Sequence, residues 1–148
     1  MGKLRFFCAL LIAKLSIIAL KITGHNGTNF PGIVAIRICP NFLEYIELPD
    51  KIIGITGTNG KTTCSNLLND ALTFLGEKVL NNSAGSNTIT GITTSLINSV
   101  SLAGKQKYGT AVFEIDELSS RRIFPFIHID YLVVTNLSRD SIMRKGHP

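Results

Sequence analysis

The sequence of 148 residues predicts an α/β fold, a P-loop-containing and mostly parallel sheet with helices on both faces, preceded by an amphipathic N-terminal helix. Three observations lead to this prediction. From residue 50 onward, short β-branched runs alternate with segments of helical periodicity. A glycine loop followed by Lys-Thr-Thr connects the first of these runs to a helix. Hydrophobic residues make up 45% of the chain, which is sufficient for a sizeable core.

Residues 4–22 are mostly apolar and have a helical pattern. At about 100° per residue, three lysines fall on one narrow stripe, and five large apolar side chains share a broad face. The stripe holds Lys3, Lys14 and Lys21, and the apolar face holds Phe7, Leu11, Leu15, Ile18 and Ile22. The central lysine interrupts the apolar run and no cleavage pattern follows, which disfavours a signal peptide or a membrane span. We predict that this helix packs on the domain. The alternatives are contact of the lysines with anionic head groups at a membrane surface, and a secretory or spanning role.

Glycines and a proline between residues 23 and 32 predict a turn-rich linker that ends the first helix. A short helix or irregular segment is expected over residues 33–46. Pro49 and Asp50 then precede the first strand. We therefore divide the chain into an N-terminal helix and linker segment, residues 1–49, and a main domain, residues 50–148.

The glycine loop lies between a β-branched run, residues 51–56, and a helical pattern over residues 65–75. It consists of Gly57, Thr58, Asn59, Gly60, Lys61, Thr62 and Thr63. The two glycines permit a backbone that aims several N–H groups at one phosphate, and the helix adds its positive dipole end. Lys61 is predicted to reach the terminal phosphates of ATP, and the Thr62 hydroxyl to bind Mg²⁺. The strict Walker spacing requires glycine where this sequence has Ile55, so the loop is a variant.

Three further strands are predicted over residues 78–81, 108–115 and 130–135, with helices over residues 90–103 and 118–124. In parallel sheets of this kind, ligands bind at the carboxyl ends of the strands. The polar residues that follow the strands are therefore candidate site residues. They are Asn82, Ser86 and Asn87 after the second strand, Glu114, Asp116 and Glu117 after the third, and Thr135, Asn136, Arg139 and Asp140 after the fourth.

Oxygen ligands at these strand ends suit Mg²⁺, which binds one or two carboxylates together with phosphate oxygens and water. Glu114 is the predicted carboxylate ligand, and Ser86 and Asn87 are less specific candidates. Each of these residues also has a structural reading, as a turn former, a solvated carboxylate or a helix N-terminal acid. The sequence leaves those alternatives open.

The net charge of +5 favours anionic partners such as nucleotide phosphates, pyrophosphate-bearing lipids or an anionic membrane. Nucleic acid is disfavoured because the Lys and Arg residues are scattered and no aromatic and basic stripe accompanies them. Cys8, Cys39 and Cys64 are too few and too widely separated for a disulfide framework or a paired metal site. We therefore expect reduced thiols and a cytoplasmic protein.

These motifs resemble the central ATP-binding domain of the Mur ligase family. The glycine loop, Glu114 at the end of a strand and Thr135-Asn136 at the end of the next match that domain in order and approximate spacing. More narrowly, the chain resembles the MurT proteins of this family, the synthetase subunits of lipid II isoglutaminyl synthases. Residues 27–32, 81–87, 114–117 and 135–140 contain the motifs of that narrower resemblance.

The resemblance implies ATP-dependent amidation of the D-glutamate α-carboxylate of lipid II to D-isoglutamine through an acyl-phosphate, with ammonia from a GatD-type glutaminase partner. It also implies that Lys61 binds the phosphates of ATP and that Thr62 and Glu114 bind Mg²⁺. Ser141 stands where many Mur ligases have a metal-binding histidine, which puts a second metal site in doubt.

The resemblance further implies that the chain stops inside the central domain. The remaining strands, a zinc site, the adenine-contacting and catalytic residues and a C-terminal domain are expected beyond Pro148, so the fragment alone is expected to be inactive. An amino-acid-adding Mur ligase, a folylpolyglutamate synthase and a non-catalytic nucleotide-binding fragment are the alternative functions.

Overall fold

The computed structural model describes residues 2–25, 27–83 and 86–137. Helices and strands alternate along the chain as the sequence predicts. The helices are α1 (Gly2–Ile22), α2 (Phe30–Ile38), α3 (Phe42–Tyr45), α4 (Lys61–Phe74), α5 (Ile89–Ser99) and α6 (Ser120–Ile123). The strands are β1 (Lys51–Thr56), β2 (Val79–Asn81), β3 (Thr110–Glu114) and β4 (Tyr131–Val134).

The four strands form one parallel sheet in the order β2-β3-β1-β4. β1 pairs with β3 on one side, where Ile53 is opposite Val112, and with β4 on the other, where Ile53 is opposite Tyr131. Parallel neighbours place the carboxyl ends of all four strands at one edge of the sheet. The predicted α/β fold class is confirmed, and every strand lies within its predicted range.

Each face of the sheet contributes to a separate apolar cluster, because successive side chains of a strand point to opposite faces. On one face, Ile55 and Val112 pack against α4 through Leu68 and Leu72. On the other, alternate residues of the same strands join a larger core that includes α5 and the three N-terminal helices. Helices therefore cover both faces, and residues 1–49 share a core with the sheet that follows them.

α1 packs on the domain as predicted, but through a different side from the apolar face that the periodicity indicated. The side chains buried on this helix are Phe6, Ala9, Leu10 and Ala13, whereas Phe7, Leu11, Leu15, Ile18 and Ile22 are exposed. Both sides of the helix are apolar, so periodicity could not choose between them. The structure buries the side that holds two alanines, because small side chains let α1 approach α2 and α5 closely.

Lys14 does not face outward with the other two lysines. Its Nζ donates hydrogen bonds to the carbonyl oxygens of Ile97 and Val100, both at 2.8 Å. These carbonyls lie at the C-terminal end of α5, where backbone acceptors lack helical partners and a positive charge is favoured. Burial lowers the pKa of Lys14, and the nearby charge of Lys107 lowers it further.

The predicted linker is shorter than its composition indicated, because α2 already begins at Phe30 with Pro31 in its first turn. Gly32 lies on this helix against α5, and its N–H donates to Thr94 Oγ1 at 2.9 Å. A Cβ at this position would lie 2.0 Å from the Thr90 carbonyl oxygen. Glycine at residue 32 is therefore required by the close approach of the two helices.

None of the helices in residues 2–25, 27–83 and 86–137 has the combination of length and apolar content needed to cross a bilayer.

Candidate functional site

The glycine loop turns the chain sharply from β1 into α4. Gly57 has φ +131° and Gly60 has φ +82°, both in the region that favours glycine. A Cβ on Gly57 would lie 2.3 Å from Thr135 Oγ1, whereas a Cβ on Gly60 would meet nothing within 4 Å. Gly57 is thus required by crowding as well as by its backbone angle. Gly60 is required by its backbone angle alone.

The end of β4 holds the glycine loop in place. Asn136 accepts hydrogen bonds from the loop through its backbone oxygen, from Thr58 N at 3.0 Å, and through Oδ1, from Asn59 N at 3.1 Å. The Thr135 hydroxyl donates to the Asn59 carbonyl at 2.7 Å, and Asn136 Nδ2 donates to the same oxygen at 3.0 Å. Thr135 and Asn136 therefore position the glycine loop.

Lys61 lies at the first position of α4 and folds back over the loop. Its Nζ donates to the carbonyl oxygens of Gly57 and Thr58, the latter at 3.2 Å, and lies 3.6 Å from Glu117 Oε1. The side chain is 13% exposed and that of Glu117 is 23% exposed, so this ion pair is partly shielded from water. The sequence left Glu117 open between a helix-end acid and a site residue. The structure pairs it with Lys61.

A Thr, Glu and Asn cluster lies beside the first turn of α4. The Thr62 hydroxyl donates to Glu114 Oε2 at 2.8 Å, and Asn87 Nδ2 donates to Glu114 Oε1 at 3.2 Å. These groups come from α4, the end of β3 and the segment after β2. Thr63, the next residue of α4, is exposed.

Asn82 fixes the backbone that presents Glu114. Asn82 is 3% exposed, accepts a hydrogen bond from Glu114 N at 2.8 Å and donates to the Glu114 carbonyl at 2.9 Å. This two-way pairing imitates a strand neighbour beyond the end of β2. The composition of the segment gave no signal for this role, since an asparagine after a strand is also a common turn residue.

Ser86 is less closely connected to Glu114 than the sequence suggested. Its hydroxyl shares a hydrogen bond with Thr88 Oγ1 at 2.8 Å, and Thr88 in turn donates to Asn29 Oδ1 at 3.4 Å. Thr90 donates to the same amide oxygen at 3.2 Å. This network links the segment before α2 to the start of α5, which the sequence analysis did not foresee.

Asp116 has a local role. Its Oδ2 accepts from the backbone N–H groups of Leu118 and Ser119 at 3.2 and 3.3 Å, which closes the turn before α6. The remaining candidates after β4, namely Arg139, Asp140 and Ser141, lie outside the described residues, as does Gly85 of the segment after β2.

The residues around Glu114 have the chemistry of a site for a phosphate and a hard cation. Thr62 and Glu114 offer hydroxyl and carboxylate oxygens, which are donors that Mg²⁺ takes, while Asn87 presents its Nδ2 to the carboxylate. Nowhere in residues 2–25, 27–83 and 86–137 do three His, Cys, Asp or Glu side chains group closely enough to hold a metal by themselves. Immediately before Gly57, the buried Thr56 Oγ1 has no hydrogen-bond partner in the described part of the chain.

Two open cavities lie beside α5, and neither is lined by Thr62, Asn87 or Glu114. The larger, about 650 Å³, lies between α1, α5 and the end of β2, and Lys21, His25, Asn82 and Asn98 are among its lining residues. The smaller, about 530 Å³, is lined in part by Asn29, Ser86, Thr88 and Arg122.

The chain is similar to proteins of peptidoglycan synthesis. It is 35% identical over 144 residues to the lipid II isoglutaminyl synthase (glutamine-hydrolyzing) subunit MurT of Staphylococcus aureus (strain COL), covering 97% of this chain and 32% of that protein. It is 37% identical over 121 residues to the MurT subunit of Streptococcus pneumoniae (strain ATCC BAA-255 / R6), covering 82% and 27%. The chain thus spans about a third or less of the length of these relatives.

A more distant similarity is to the UDP-N-acetylmuramoyl-L-alanyl-D-glutamate--2,6-diaminopimelate ligase of Blochmanniella floridana, 28% identical over 117 residues, which cover 72% of this chain and 23% of that protein. The family model for the Mur ligase middle domain matches residues 55–143, which is more than half of the chain. This range contains the glycine loop, Glu114 and Asn136. The resemblance to MurT proteins that the motifs predicted is confirmed, and the chain belongs to the Mur ligase family.

Proposed function

We propose that this chain is the nucleotide-binding part of an ATP-dependent carbon–nitrogen ligase. The observation that carries the proposal is the convergence of Lys61, Thr62 and Glu114 at one end of the glycine loop, although 52 residues separate Thr62 from Glu114. A cation, a hydroxyl and a carboxylate beside a helix N-terminus are the groups that phosphoryl transfer from Mg-ATP needs.

Each residue of the loop has a separate task in this proposal. The backbone N–H groups at the N-terminus of α4 bind phosphate oxygens, whereas those of Thr58 and Asn59 are held by Asn136. When ATP binds, the Lys61 ammonium leaves the loop carbonyls and Glu117 and contacts the terminal phosphates. There its positive charge stabilises the negative charge that develops during phosphoryl transfer. Asn136 and Thr135 keep the loop in the shape that aims those donors.

Thr62 and Glu114 would hold Mg²⁺, with Asn87 beside them and Ser86 as a weaker candidate. The fit rests on the donor types, since all of these side chains offer oxygen. When bound, the cation neutralises negative charge on the phosphates and so favours attack at phosphorus. The Thr62 to Glu114 hydrogen bond keeps both oxygens together before the cation binds.

We further propose that the acceptor is the α-carboxylate of D-glutamate in lipid II, as the names of the MurT relatives suggest. A carboxylate oxygen attacks the terminal phosphorus, the bond to the bridging oxygen breaks, and ADP leaves with an acyl-phosphate formed. Ammonia then attacks the acyl carbon, phosphate leaves, and a proton is lost to give the amide. A GatD-type glutaminase would supply the ammonia, at the cytoplasmic face of the membrane.

An amino-acid-adding ligase is the second candidate, because the chain is also similar to a diaminopimelate-adding enzyme. The two candidates share the phosphoryl-transfer step and differ in the nucleophile that attacks the acyl-phosphate. The site formed by residues 57–63 and Glu114 serves both equally well. The distinction therefore needs a measurement of the product.

The nucleotide site is tested by Lys61→Ala in the protein expressed from its complete reading frame. We expect Mg-ATP binding and phosphate release to be lost, because the cation that would contact the terminal phosphates is removed. The matched control is Lys51→Ala, an exposed lysine at the opposite end of β1. Activity retained by Lys61→Ala would refute the assignment.

The reaction is tested by following phosphate release with lipid II, in the presence of the co-expressed glutaminase and either glutamine or free amino acids. Glutamine-dependent release, with an acid converted to an amide in the mass spectrum, supports amidation. Phosphate release only with an amino acid assigns the chain to the amino-acid-adding ligases. Mg-ATP binding without any turnover supports a non-catalytic nucleotide-binding role.

A further inference from the structure

The outer side of α1 is an apolar surface that no other element covers in the described part of the chain. Its six large side chains are each 46–80% exposed. At about 100° per residue they fall within about 80° of arc, so they form one continuous stripe. We call this stripe the α1 apolar face, and it consists of Leu4, Phe7, Leu11, Leu15, Ile18 and Ile22.

Packing among the described residues does not explain this face. The opposite side of α1 already supplies the contacts with α2 and α5 through Phe6, Ala9, Leu10 and Ala13. A helix with one buried side normally presents polar residues on the other. Contiguous exposed apolar surface of this kind marks an interaction site.

The charge distribution indicates what covers the face. Residues 1–43 contain five of the fifteen Lys and Arg residues of the chain and none of its ten Asp and Glu residues. The remaining ten basic and ten acidic residues cancel, so the net charge of +5 resides in the segment that bears the α1 apolar face. An acid-free segment is attracted to an anionic surface.

Cations also border the face itself. Lys3 and Lys21 are exposed and lie along one margin of the stripe, whereas Arg5, also exposed, lies beyond the other margin and donates through Nε to the Ile38 carbonyl at 2.6 Å. Lys14 is not available for this purpose, because its ammonium caps α5. The arrangement that results, an apolar stripe with a basic margin, is that of a helix lying in the interface of a membrane.

We propose that the α1 apolar face docks on an anionic lipid bilayer, with α1 parallel to the surface. From Leu4 to Ile22 the stripe is about 27 Å long at 1.5 Å per residue. Its side chains enter the boundary between head groups and acyl chains, while Lys3 and Lys21 contact anionic head groups. The stripe contains no hydrogen-bonding side chain, which suits lipid better than the mixed surface of a protein partner.

This proposal does not depend on the proposed reaction. It concerns lipid head groups and acyl chains in general, so it can be tested with vesicles that contain neither lipid II nor nucleotide. Failure of vesicle binding would leave the nucleotide site intact, and failure of the nucleotide site would leave vesicle binding intact.

The test is flotation of the protein from its complete reading frame with vesicles of phosphatidylcholine and phosphatidylglycerol, and with vesicles of phosphatidylcholine alone. The double variant Leu11→Glu with Ile18→Glu is expected to weaken vesicle binding at least about tenfold, because two apolar side chains that would enter the bilayer are lost. Leu67→Glu with Phe74→Glu is the matched control on α4, where the two residues are 70% and 92% exposed. This control should bind as the wild type does.

Lys3→Glu with Lys21→Glu is expected to weaken binding to the anionic vesicles while leaving binding to phosphatidylcholine unchanged. A second readout keeps the test valid if the glutamate variant folds poorly. Leu15→Trp should shift its fluorescence to the blue when anionic vesicles are added, relative to Phe74→Trp on α4.

Three results would overturn the proposal. The first is that the wild type does not float with vesicles, and the second is that the Leu11→Glu, Ile18→Glu variant floats as well as the wild type. The third is that this variant loses binding to a protein partner or to a second copy of itself while vesicle binding persists. The last result would assign the face to a protein interface.

Discussion

The hydroxyl of Thr62 donates a hydrogen bond of 2.8 Å to Glu114 Oε2 and thereby joins the first turn of α4 to the end of β3. A second pair of the same types lies at the other end of β3, where Thr110 Oγ1 donates to Glu77 Oε2 at 2.5 Å. Only the first pair lies beside the glycine loop. Substitutions at Glu114 and at Glu77 can therefore be compared to distinguish a cation-binding carboxylate from a structural one.

We predict that Glu114→Gln lowers ATP turnover by about a hundredfold, because the substitution keeps the size of the side chain but removes its charge from the proposed Mg²⁺ site. The requirement for Mg²⁺ should rise in parallel. Phosphate release measured across a Mg²⁺ titration checks both. Glu77→Gln should retain wild-type turnover, and an equal loss in the two variants would contradict a cation-binding role for Glu114.

The two glycines of the loop are predicted to differ in their tolerance of alanine. Gly57→Ala should reduce the free energy of unfolding by about 2–4 kcal/mol, because the new Cβ meets Thr135 and Asn136 in addition to the backbone strain. Gly60→Ala should cost about 1 kcal/mol, since only the positive φ is unfavourable there. Urea unfolding compares them, and equal losses would mean that crowding at Gly57 is unimportant.

Asn82→Ala is predicted to reduce the free energy of unfolding by about 2–3 kcal/mol, because it removes a buried amide that satisfies both backbone groups of Glu114. Turnover should fall as well, since the position of the Glu114 carboxylate depends on that backbone. The exposed Asn66→Ala on α4 is the control and should change stability by less than about 0.5 kcal/mol. If the two variants unfold at the same urea concentration, Asn82 does not brace the site.

Lys14 is predicted to make stability depend on alkaline pH. Its pKa in the folded protein lies below its ordinary value of 10.5, chiefly because of burial and also because of Lys107. Between these two values the unfolded chain binds more protons, so the contribution of Lys14 to stability increases as the pH rises toward 10.5. Below the folded pKa the cost of burying the charge is fully present.

The measurement is urea unfolding of the wild type and of Lys14→Met over a series of alkaline pH values. Relative to the variant, the wild type should gain stability as the pH rises through that window. Lys107→Met should narrow the window because it removes the smaller cause of the shift. A wild type that loses stability relative to Lys14→Met over the same range would contradict the direction of the shift.

The glycine loop was predictable because its signal is local. A β-branched strand, two glycines and a helix with lysine at its first position are all adjacent in sequence, and the structure places β1 and α4 at those residues. Glu114 was also predictable in position, because a carboxylate that ends a parallel strand must lie at the edge where the loop lies. Its partners were less so, since the pairing with Asn82 and Asn87 depends on how the segment after β2 folds back.

The local sequence by itself determined the α/β class, the strand positions and the identity of the glycine loop. Tertiary structure alone decided which side of α1 is buried. Both sides are apolar, so the buried side was decided by the close approach that Ala9 and Ala13 permit and by the hydrogen bonds from Lys14 to the carbonyl oxygens at the end of α5. Packing geometry between distant segments has no periodicity in sequence, which is why the composition of α1 predicted a helix and could not predict its orientation.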